Sequence, residues 1–279
     1  MEFFNSRTEL STFVEHKRSI GCSIGFVPTM GALHSGHLKL VKETLTKCDI
    51  VVVSIFVNPT QFNNSDDLRL YPRNEKRDFE LLRNEGCDAV FFPTVEEIYP
   101  QQDHRIFDLG GLDTVMEGQF RPGHFQGVVQ VVTRLFDIVN PDVASFGKKD
   151  FQQLTIIKHI TDKMGYSIRI DAVETIRESD GLAMSSRNER LTKEQRSIAP
   201  NIYRILNEAK AQKHQKSIQE VEDFVTQQID ALPYMKTEYF SIVNHKTLQP
   251  LTAWHEKCDA VGCIAVYCGD VRLIDNIYF

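Results

Sequence analysis

The sequence lacks the features that define disulfide-rich, membrane-spanning and nucleic-acid-binding proteins. Its six cysteines are scattered and form no Cys-x-x-Cys pair, which in a cytosolic chain indicates reduced, buried thiols. The longest apolar run, residues 50–57, is far too short to cross a bilayer. The formal net charge of −6 supplies no basic surface, which argues against RNA or DNA as the main ligand.

Two terminal segments also lack common signals. Residues 1–19 have no basic start, apolar centre or small-residue cleavage site, so we expect no signal peptide and a cytoplasmic protein. The tail holds a set of potential zinc ligands, which are His255, Cys258, Cys263 and Cys268. Because Cys263 and Cys268 are five residues apart in a predicted strand, they face opposite sides of it, and we predict no zinc site there.

Strand-like and helix-like segments alternate along the first part of the chain. Leu38, Val41 and Leu45 have helical spacing after Ser35, the predicted N-cap, and the next helical segment stops at Gly86, a C-cap residue. Such alternation predicts βαβ units, and hence a parallel sheet with helices on both faces. The predicted strands are 23–29, 49–59, 87–93, 142–147 and 166–178, and the predicted helices are 35–49, 75–86, 126–140 and 150–165.

The pattern changes after about residue 178. Two helical segments are followed by three strand-like segments that have no long helices between them. The helical segments are 191–212 and 217–232, and the strand-like segments are 236–244, 263–269 and 271–279. We therefore predict an α/β domain over residues 1–178 and a smaller α+β domain over residues 179–279.

Four polar loops marked by glycine or proline follow the predicted strands of the first domain. Their sequences are PTMGALHSGH, NPTQF, FGKKD and ESDGLAMSSRN. The carboxyl ends of parallel strands face one crevice, which is where open sheets of this kind bind ligands. One such loop means little, but four loops at the same edge predict a single convergent site.

The first of these loops carries two imidazoles at the start of a helix. Gly31, Gly36 and His37 have the spacing of a P-loop, but His37 replaces its lysine and Leu38 its hydroxyl residue, so the P-loop interpretation fails. What remains is a helix N-terminus, worth about half a positive charge, beside His34 and His37. This combination suits an anion whose charge builds during a reaction.

Several sequence blocks together resemble one enzyme family. HSGH resembles the HxGH signature of the nucleotidyl-transfer superfamily that includes class I aminoacyl-tRNA synthetases, and MSSRN resembles its KMSKS-type loop. The chain resembles the pantoate–β-alanine ligase family through VPTMGALHSGH, SIFVNPTQF, YPR, RPGHFQGV, FGKKDFQQL, DGLAMSSRN and RLIDN, in this order. The resemblance implies a Rossmann-type ATP- and pantoate-binding domain, a smaller C-terminal lid domain and a homodimer.

The resemblance also implies a reaction. Members of the family condense pantoate with β-alanine to pantothenate, a precursor of coenzyme A, and they use ATP and magnesium. ATP and pantoate first give pantoyl adenylate and pyrophosphate, and the amine of β-alanine then displaces AMP. Such an enzyme acts on small molecules and is expected to bind neither nucleic acid nor a membrane.

The matched motifs imply roles for individual residues at the ATP. His34 and His37 would donate hydrogen bonds to the triphosphate, while Lys149 and Arg187 would offset the repulsion between two anions. The serines of MSSRN would hydrogen-bond phosphate oxygens. The full set of matched ATP-binding positions is Met30, Gly31, His34, Gly36, His37, Gly147, Lys148, Lys149, Asp150, Ile176, Met184, Ser185, Ser186 and Arg187. Asp150 is a candidate for a ribose contact or a helix N-cap, and Ile176 and Met184 are equally consistent with core residues.

The positions that match the family's substrate site are mostly uncharged. Gln61 and Gln153 match its pantoate-binding glutamines, whose amides pair with hydroxyls and a carboxylate without adding charge. Asn58 and Tyr71 are further candidates for seating β-alanine or pantoate, although Asn-Pro is also a common turn. Arg121 and His124 of RPGHFQGV are expected to line the entrance to the site, although the glycine and proline of this block are also typical of a plain loop.

The motifs leave the metal ligands open, and the chain departs from the family pattern twice. Magnesium prefers phosphate oxygens, waters and one or two carboxylates, so we expect it mainly on the ATP phosphates. Asp78 and Asp150 are candidate contacts. Lys148 stands where the family commonly has glutamate, which adds a cation, and Ala183 stands in place of the leading lysine of KMSKS.

Other functions share some of these features. Another nucleotidylyltransferase with the HxGH signature would need more cations for a phosphorylated second substrate, and it would not need NPTQF or FQQL. A tRNA synthetase is disfavoured by the acidic charge and the short chain. A nucleotide-binding sensor without catalysis would have no use for the two histidines and two cations that match the family's catalytic set.

Overall fold

The computed structural model describes residues 1–63, 65–254 and 259–279, and it contains two β-sheets. The first sheet has six parallel strands, and the second has three antiparallel strands. The predicted fold class, a parallel α/β sheet with a smaller α+β part, is confirmed. His255 and Cys258, which were considered as zinc ligands, lie outside the described residues.

The strand order of the parallel sheet reverses beside the strand that is second along the chain. Its strands are β1 (Glu2–Phe4), β2 (Ile24–Thr29), β3 (Ile50–Ile55), β4 (Ala89–Phe91), β5 (Val143–Gly147) and β6 (Arg169–Val173). They lie in the order β1-β4-β3-β2-β5-β6, so the chain builds outward from β2 to β4 and then returns to place β5 on the other side of β2. Open sheets bind ligands at such a switch point, beyond the carboxyl ends of the strands.

Apolar, largely β-branched sequences explain why β2 and β3 lie inside the sheet. Phe26 and Val27 of β2 and Val52 and Val53 of β3 have no exposed surface. A strand covered on both faces needs apolar side chains at consecutive positions, which these strands have. By contrast, the edge strand β1 is short and largely exposed, so its sequence gives no comparable signal, and sequence analysis missed it.

The helices of the described residues include all six predicted segments, together with four helices that were not predicted. In chain order they are α1 (Arg7–Ser19), α2 (Ser35–Leu45), α3 (Ser65–Arg69), α4 (Glu75–Glu85), α5 (Val95–Ile98), α6 (Met116–Phe120), α7 (His124–Val139), α8 (Phe151–Lys163), α9 (Lys193–Ile198), α10 (Asn201–Ala211) and α11 (Ile218–Asp230). Helices α1, α3, α5 and α6 were not predicted. One predicted helix divides into α9 and α10 at Pro200, which has no amide hydrogen to continue the helix. Within the described ranges, no helix is both long and apolar enough to cross a membrane.

The two predicted helix caps had different outcomes. Gly86 ends α4 in the left-handed region at a φ of +84°, as its position predicted. The N-cap of α2 is His34 and not Ser35, so that prediction was wrong. Serine hydroxyls are common caps, but here the extended backbone of His34 lets its ring nitrogen accept the amide hydrogen bond instead.

The antiparallel sheet packs against two helices to form the second core. Its strands are β7 (Met235–Asn244), β8 (Ala260–Cys268) and β9 (Val271–Tyr278), in the order β7-β8-β9. Ile205 of α10 and Val225 of α11 are fully buried together with Val266 of β8. Burial of apolar side chains from both helices and the sheet makes this part of the chain a compact unit of its own.

The chain forms two compact units. The first, which holds the parallel sheet, comprises Met1–Gly111, Arg121–Lys148 and Gln153–Glu174, and the second, which holds the antiparallel sheet, comprises Leu112–Phe120, Lys149–Gln152 and Thr175–Phe279. The chain thus changes unit more often than one boundary at residue 178 implies. The assignment of ATP and pantoate binding to residues 1–178 and of a lid to residues 179–279 stays a prediction.

Buried polar contacts explain why two short segments belong to the second unit. Arg272 of β9 donates to both carboxylate oxygens of Glu117, at 2.8 and 2.6 Å. Gln152 donates to the backbone oxygens of Leu112 and Val115, at 2.7 and 2.9 Å. These bonds hold Leu112–Phe120 and the start of α8 within that unit, which a sequence pattern alone does not reveal.

Candidate active site

The loop after β2 ends in two histidines that cap α2. Nδ1 of His34 accepts a hydrogen bond from the Gly36 amide at 3.1 Å, and Nδ1 of His37 accepts one from the His34 amide at 3.3 Å. The centroids of the two rings are 4.1 Å apart. Because each Nδ1 accepts a hydrogen bond, each neutral ring carries its proton on Nε2, and Nε2 is the atom that can donate to a ligand.

Asp78 of α4 holds the same loop in place. Its carboxylate is 2% exposed and accepts hydrogen bonds from the amides of Ala32 and Leu33, both at 2.8 Å. Gly31 has a φ of +79°, and a Cβ there would lie only 3.0 Å from Asp78 Oδ2. Sequence analysis offered Asp78 as a magnesium contact and missed this positioning role, because no local motif links it to a loop 46 residues away.

The turn after β3 meets the loop after β2 through Gln61. Its Nε2 donates to the sulfur of Met30 at 3.0 Å. Asn58 is 1% exposed, and its Nδ2 donates to Gln61 Oε1 at 3.2 Å and to the Gly127 backbone oxygen at 3.1 Å. The Asn58 side chain therefore fixes the side chain of Gln61 and ties the turn to α7, which gives it a structural role beside its predicted substrate role.

The other predicted substrate-site residues of the first unit lie around this turn or at α8. Nδ1 of His124 lies 2.8 Å from the backbone oxygen of Gln61. Tyr71 is 6% exposed and packs edge-on against Phe62, with ring centroids 5.9 Å apart. Gln153 is half-buried in the first turn of α8. The structure thus brings Gln61, His124 and Met30 together.

Strand β5 ends at Gly147, and Lys148 follows it. The Lys148 amide donates to the backbone oxygen of Val173 at 2.8 Å, which continues the pairing with β6. Its ammonium group forms an ion pair with Glu174. The cation that departs from the family pattern is therefore matched by a carboxylate, which partly neutralises the charge that it adds.

The second unit carries the MSSRN loop. Ser185 is the N-cap of a short 3-10 helix, Ser186–Arg190, and its Oγ accepts a hydrogen bond from the Arg187 amide at 3.3 Å. The Met184 amide donates to the backbone oxygen of Ile176 at 3.0 Å. Ile176 and Met184 are half-buried, and this hydrogen bond pairs their backbones at the start of the loop.

Lys149 and the MSSRN loop line one small cavity of the second unit. Its lining includes Lys149, Ala183, Ser185, Asn188 and Asp275. The structure thus brings together two loops that are widely separated in sequence. Asp150, next to Lys149, is exposed. No group of three or more histidine, cysteine, aspartate or glutamate side chains in residues 1–63, 65–254 and 259–279 could hold a metal ion.

The fold and the first loop together define a class of protein. A parallel sheet with helices, whose switch point carries a helix N-terminus and two imidazoles, is a doubly wound protein, and ligands of such proteins bind at the switch point. The model of the family described as pantoate-beta-alanine ligase matches residues 2–278. The chain therefore belongs to the pantoate-beta-alanine ligase family, and it is a ligase.

Individual relatives agree with this family. The chain is 51% identical to a pantothenate synthetase of Porphyromonas gingivalis, over all of the chain and 99% of the relative. The crystal structure of pantothenate synthetase from Thermus thermophilus is 40% identical, with a TM-score of 0.92 over 99% of each chain. The ligase from Francisella tularensis, crystallised with beta-gamma ATP and beta-alanine, is 34% identical, with a TM-score of 0.83 over 99% of this chain and 97% of that one.

Proposed function

We propose that the chain condenses pantoate with β-alanine in two steps, an adenylation of pantoate by ATP and a displacement of AMP by the amine. Family membership over residues 2–278 and a relative crystallised with beta-gamma ATP and beta-alanine support the substrates. The observation that carries the mechanism is the pair of histidines at the start of α2, whose Nδ1 atoms are both engaged by backbone amides.

In the first step, a carboxylate oxygen of pantoate attacks the α-phosphorus of ATP. A bond forms between that oxygen and phosphorus, the bond from the α-phosphorus to the bridging oxygen breaks, and pyrophosphate leaves. Nε2 of His34 and of His37 donates hydrogen bonds to phosphate oxygens whose charge builds in the transition state. Lys149 acts as a point charge and Arg187 as a two-pronged donor, and together they offset the repulsion between the two anions.

In the second step, the amine of β-alanine attacks the acyl carbon of the adenylate. The carbon–nitrogen bond forms, the amine loses a proton, and the bond between the acyl carbon and its adenylate oxygen breaks to release AMP. Gln61 and Gln153 hold pantoate through neutral amides. Because a glutamine side chain cannot act as a base, it does not activate water to hydrolyse the adenylate.

The proposal also includes magnesium, a homodimer and a cytoplasmic location, which rest on the family resemblance. The loop after β2, residues 30–37, has no carboxylate of its own, and Asp78 uses its oxygens for the backbone of that loop. This donor set fits a metal held mainly by phosphates. When bound, magnesium would neutralise phosphate charge, and Asp150 is the remaining candidate for a protein contact.

Pyrophosphate–ATP exchange tests the first step and the residues assigned to it. We expect exchange with pantoate alone, and AMP release only when β-alanine is also present. His37→Ala and Lys149→Ala should each slow exchange by a factor of about 100 to 1000, since each removes one transition-state donor. Lys163→Ala, at the far end of α8, is the matched control, because this lysine pairs with Asp108 on the surface.

Three outcomes would contradict the proposal. Exchange that needs a phosphorylated partner would indicate another nucleotidylyltransferase with the HxGH signature. ATP binding without turnover would indicate a sensor. Near-normal exchange in His37→Ala and Lys149→Ala would show that the residues are wrongly assigned, even if the overall reaction is correct.

A further inference from the structure

The last strand carries two adjacent polar side chains that the proposed mechanism does not use. Asp275 and Asn276 belong to the RLIDN block, and they are only 5% and 7% exposed. Adjacent residues of a strand point to opposite faces, so the two side chains have different surroundings. Burial of a polar group costs free energy unless it is hydrogen-bonded, so the partners of these two residues show what they hold in place.

Asn276 holds the backbone of Lys149. Its Nδ2 donates to the Lys149 backbone oxygen at 2.9 Å. Lys149 lies in the short turn between β5 and α8, and this hydrogen bond joins the turn to β9, 127 residues further along the chain. Because the side chain of Lys149 leaves the same residue, the direction of its ammonium group depends on how this backbone is held.

Asp275 holds the hairpin of residues 177–183, which leads into the MSSRN loop. Its two carboxylate oxygens accept hydrogen bonds from Arg177, at 2.6 and 2.9 Å. Arg177 also donates to the Gly181 backbone oxygen at 3.1 Å, and its guanidinium lies 3.5 Å from the centroid of the Tyr203 ring. A bidentate pair is geometrically specific, so it fixes the orientation of Arg177.

The hairpin links the position of Arg177 to that of the MSSRN loop. Arg177 pairs with Ala183 in an antiparallel bridge, and Ala183 lies two residues before Ser185, the first residue proposed to bind phosphate. Asp275, Ala183 and Ser185 line the same small cavity as Lys149. Asp275 and Asn276, which are consecutive in β9, thus hold the two segments that carry Lys149 and Arg187, the proposed cations of the second unit.

We infer that Asp275 and Asn276 are positioning residues for adenylation, Asn276 acting through Lys149 and Asp275 acting through the MSSRN loop and Arg187. This inference rests on the roles proposed above for Lys149 and Arg187. Both side chains are committed to protein partners, so the expected defect lies in the rate of adenylation and not in the KM for β-alanine.

A double-mutant cycle tests the inference for Asn276. Asn276→Asp is nearly isosteric but places an oxygen against the Lys149 backbone oxygen. We expect it to slow pantoate-dependent exchange by about 10- to 100-fold, because a displacement of about 1 Å at a catalytic group has effects of this size. In a Lys149→Ala background the same change should alter the rate by no more than about two-fold, since coupled residues are not additive.

The corresponding cycle for Asp275 combines Asp275→Asn with Arg187→Ala. Glu238→Gln is the matched control for both cycles. It changes a carboxylate to an amide in a half-buried ion pair of the same sheet, with Arg272, and should leave exchange unchanged. Thermal unfolding of every variant is recorded, and Asn276→Ser, which keeps a hydroxyl donor, replaces Asn276→Asp if that variant does not fold.

The outcomes separate the inference from the proposed function. If Lys149→Ala itself exchanges normally, the role proposed for Lys149 fails, and the inference for Asn276 fails with it. If Lys149→Ala is slow but Asn276→Asp slows it further by the same factor as in the parent chain, only the inference is overturned. A loss of activity in Glu238→Gln equal to that in Asp275→Asn would likewise show a general effect of sheet stability.

Discussion

His34 has a structural role as the cap of α2, and the proposed mechanism gives the same side chain a chemical role. Its Nδ1 caps α2, which leaves the proton on Nε2 for a ligand. A serine or asparagine could cap the helix, but neither offers a second donor on the far side of a rigid ring. The cap and the proposed donor are therefore separable by substitution, which allows the two roles to be measured independently.

We expect His34→Asn to keep the stability of the protein and to lose most of its adenylation rate. Asparagine is among the best N-cap residues, so the free energy of unfolding should change by less than about 0.5 kcal/mol, whereas His34→Ala should cost about 1 kcal/mol. Exchange should fall about 100-fold in both variants, because both lack Nε2. Urea unfolding and exchange assays on the same preparations would contradict this account if His34→Asn exchanged at the parent rate.

At the level of elements, an irregular segment before α6 is held on α7 by charged side chains. The Asp103 side chain is 3% exposed, and Arg105 and Arg134 donate to it at 2.7 Å each. The hydrogen bonds from Arg105, with a smaller contribution from Arg134, hold the pKa of Asp103 far below its ordinary value. Ion pairs thus hold this segment in place of secondary structure. Such ion pairs leave no periodic pattern in the sequence from which they could be predicted.

The Asp103 cluster should make stability depend on pH in acid. The folded pKa lies below the unfolded value of about 3.9, so the stabilisation is complete above that value and is lost as the pH falls toward the folded pKa. Asp103→Asn should lower stability at pH 7 by roughly 1–3 kcal/mol, since it leaves buried donors poorly matched. Its stability should also fall less steeply than that of the parent chain below about pH 4.

Urea unfolding at a series of pH values from neutral to acid checks this expectation. Asp162→Asn is the control, because Asp162 is an exposed carboxylate of α8. Parallel acid slopes for Asp103→Asn and the parent chain would show that the cluster does not contribute to acid sensitivity.

Short-range features of the sequence predicted the central strands and the six longer helical segments after residue 34, but not β1 or α1. Contacts between residues far apart in the sequence were not predicted. Helical periodicity and Gly86 located α4, and β-branched runs located the central strands, because these signals lie within a few residues. The cap of α2 was misplaced by one residue, since only the folded backbone shows which side chain reaches the amide. Asp78 and Asn276 brace their loops from 46 and 127 residues away, and such partners have no local pattern.

For the whole molecule, the residues assigned to the reaction belong to two compact units. His34, His37 and Gln61 belong to the first unit, and Lys149 and Arg187 belong to the second. The family match spans residues 2–278 and therefore includes both units. The account as a whole depends on one chemical claim, which is that the carboxylate of pantoate becomes bonded to the α-phosphorus of ATP.

Isotope transfer tests this claim most directly. Pantoate labelled with oxygen-18 in its carboxylate is incubated with ATP, magnesium and β-alanine, and the AMP released is analysed by mass spectrometry. Because the new phosphorus–oxygen bond survives and the acyl carbon–oxygen bond breaks, the account predicts that each AMP carries one labelled oxygen. AMP without label, formed at the same rate as pantothenate, would contradict the adenylate mechanism.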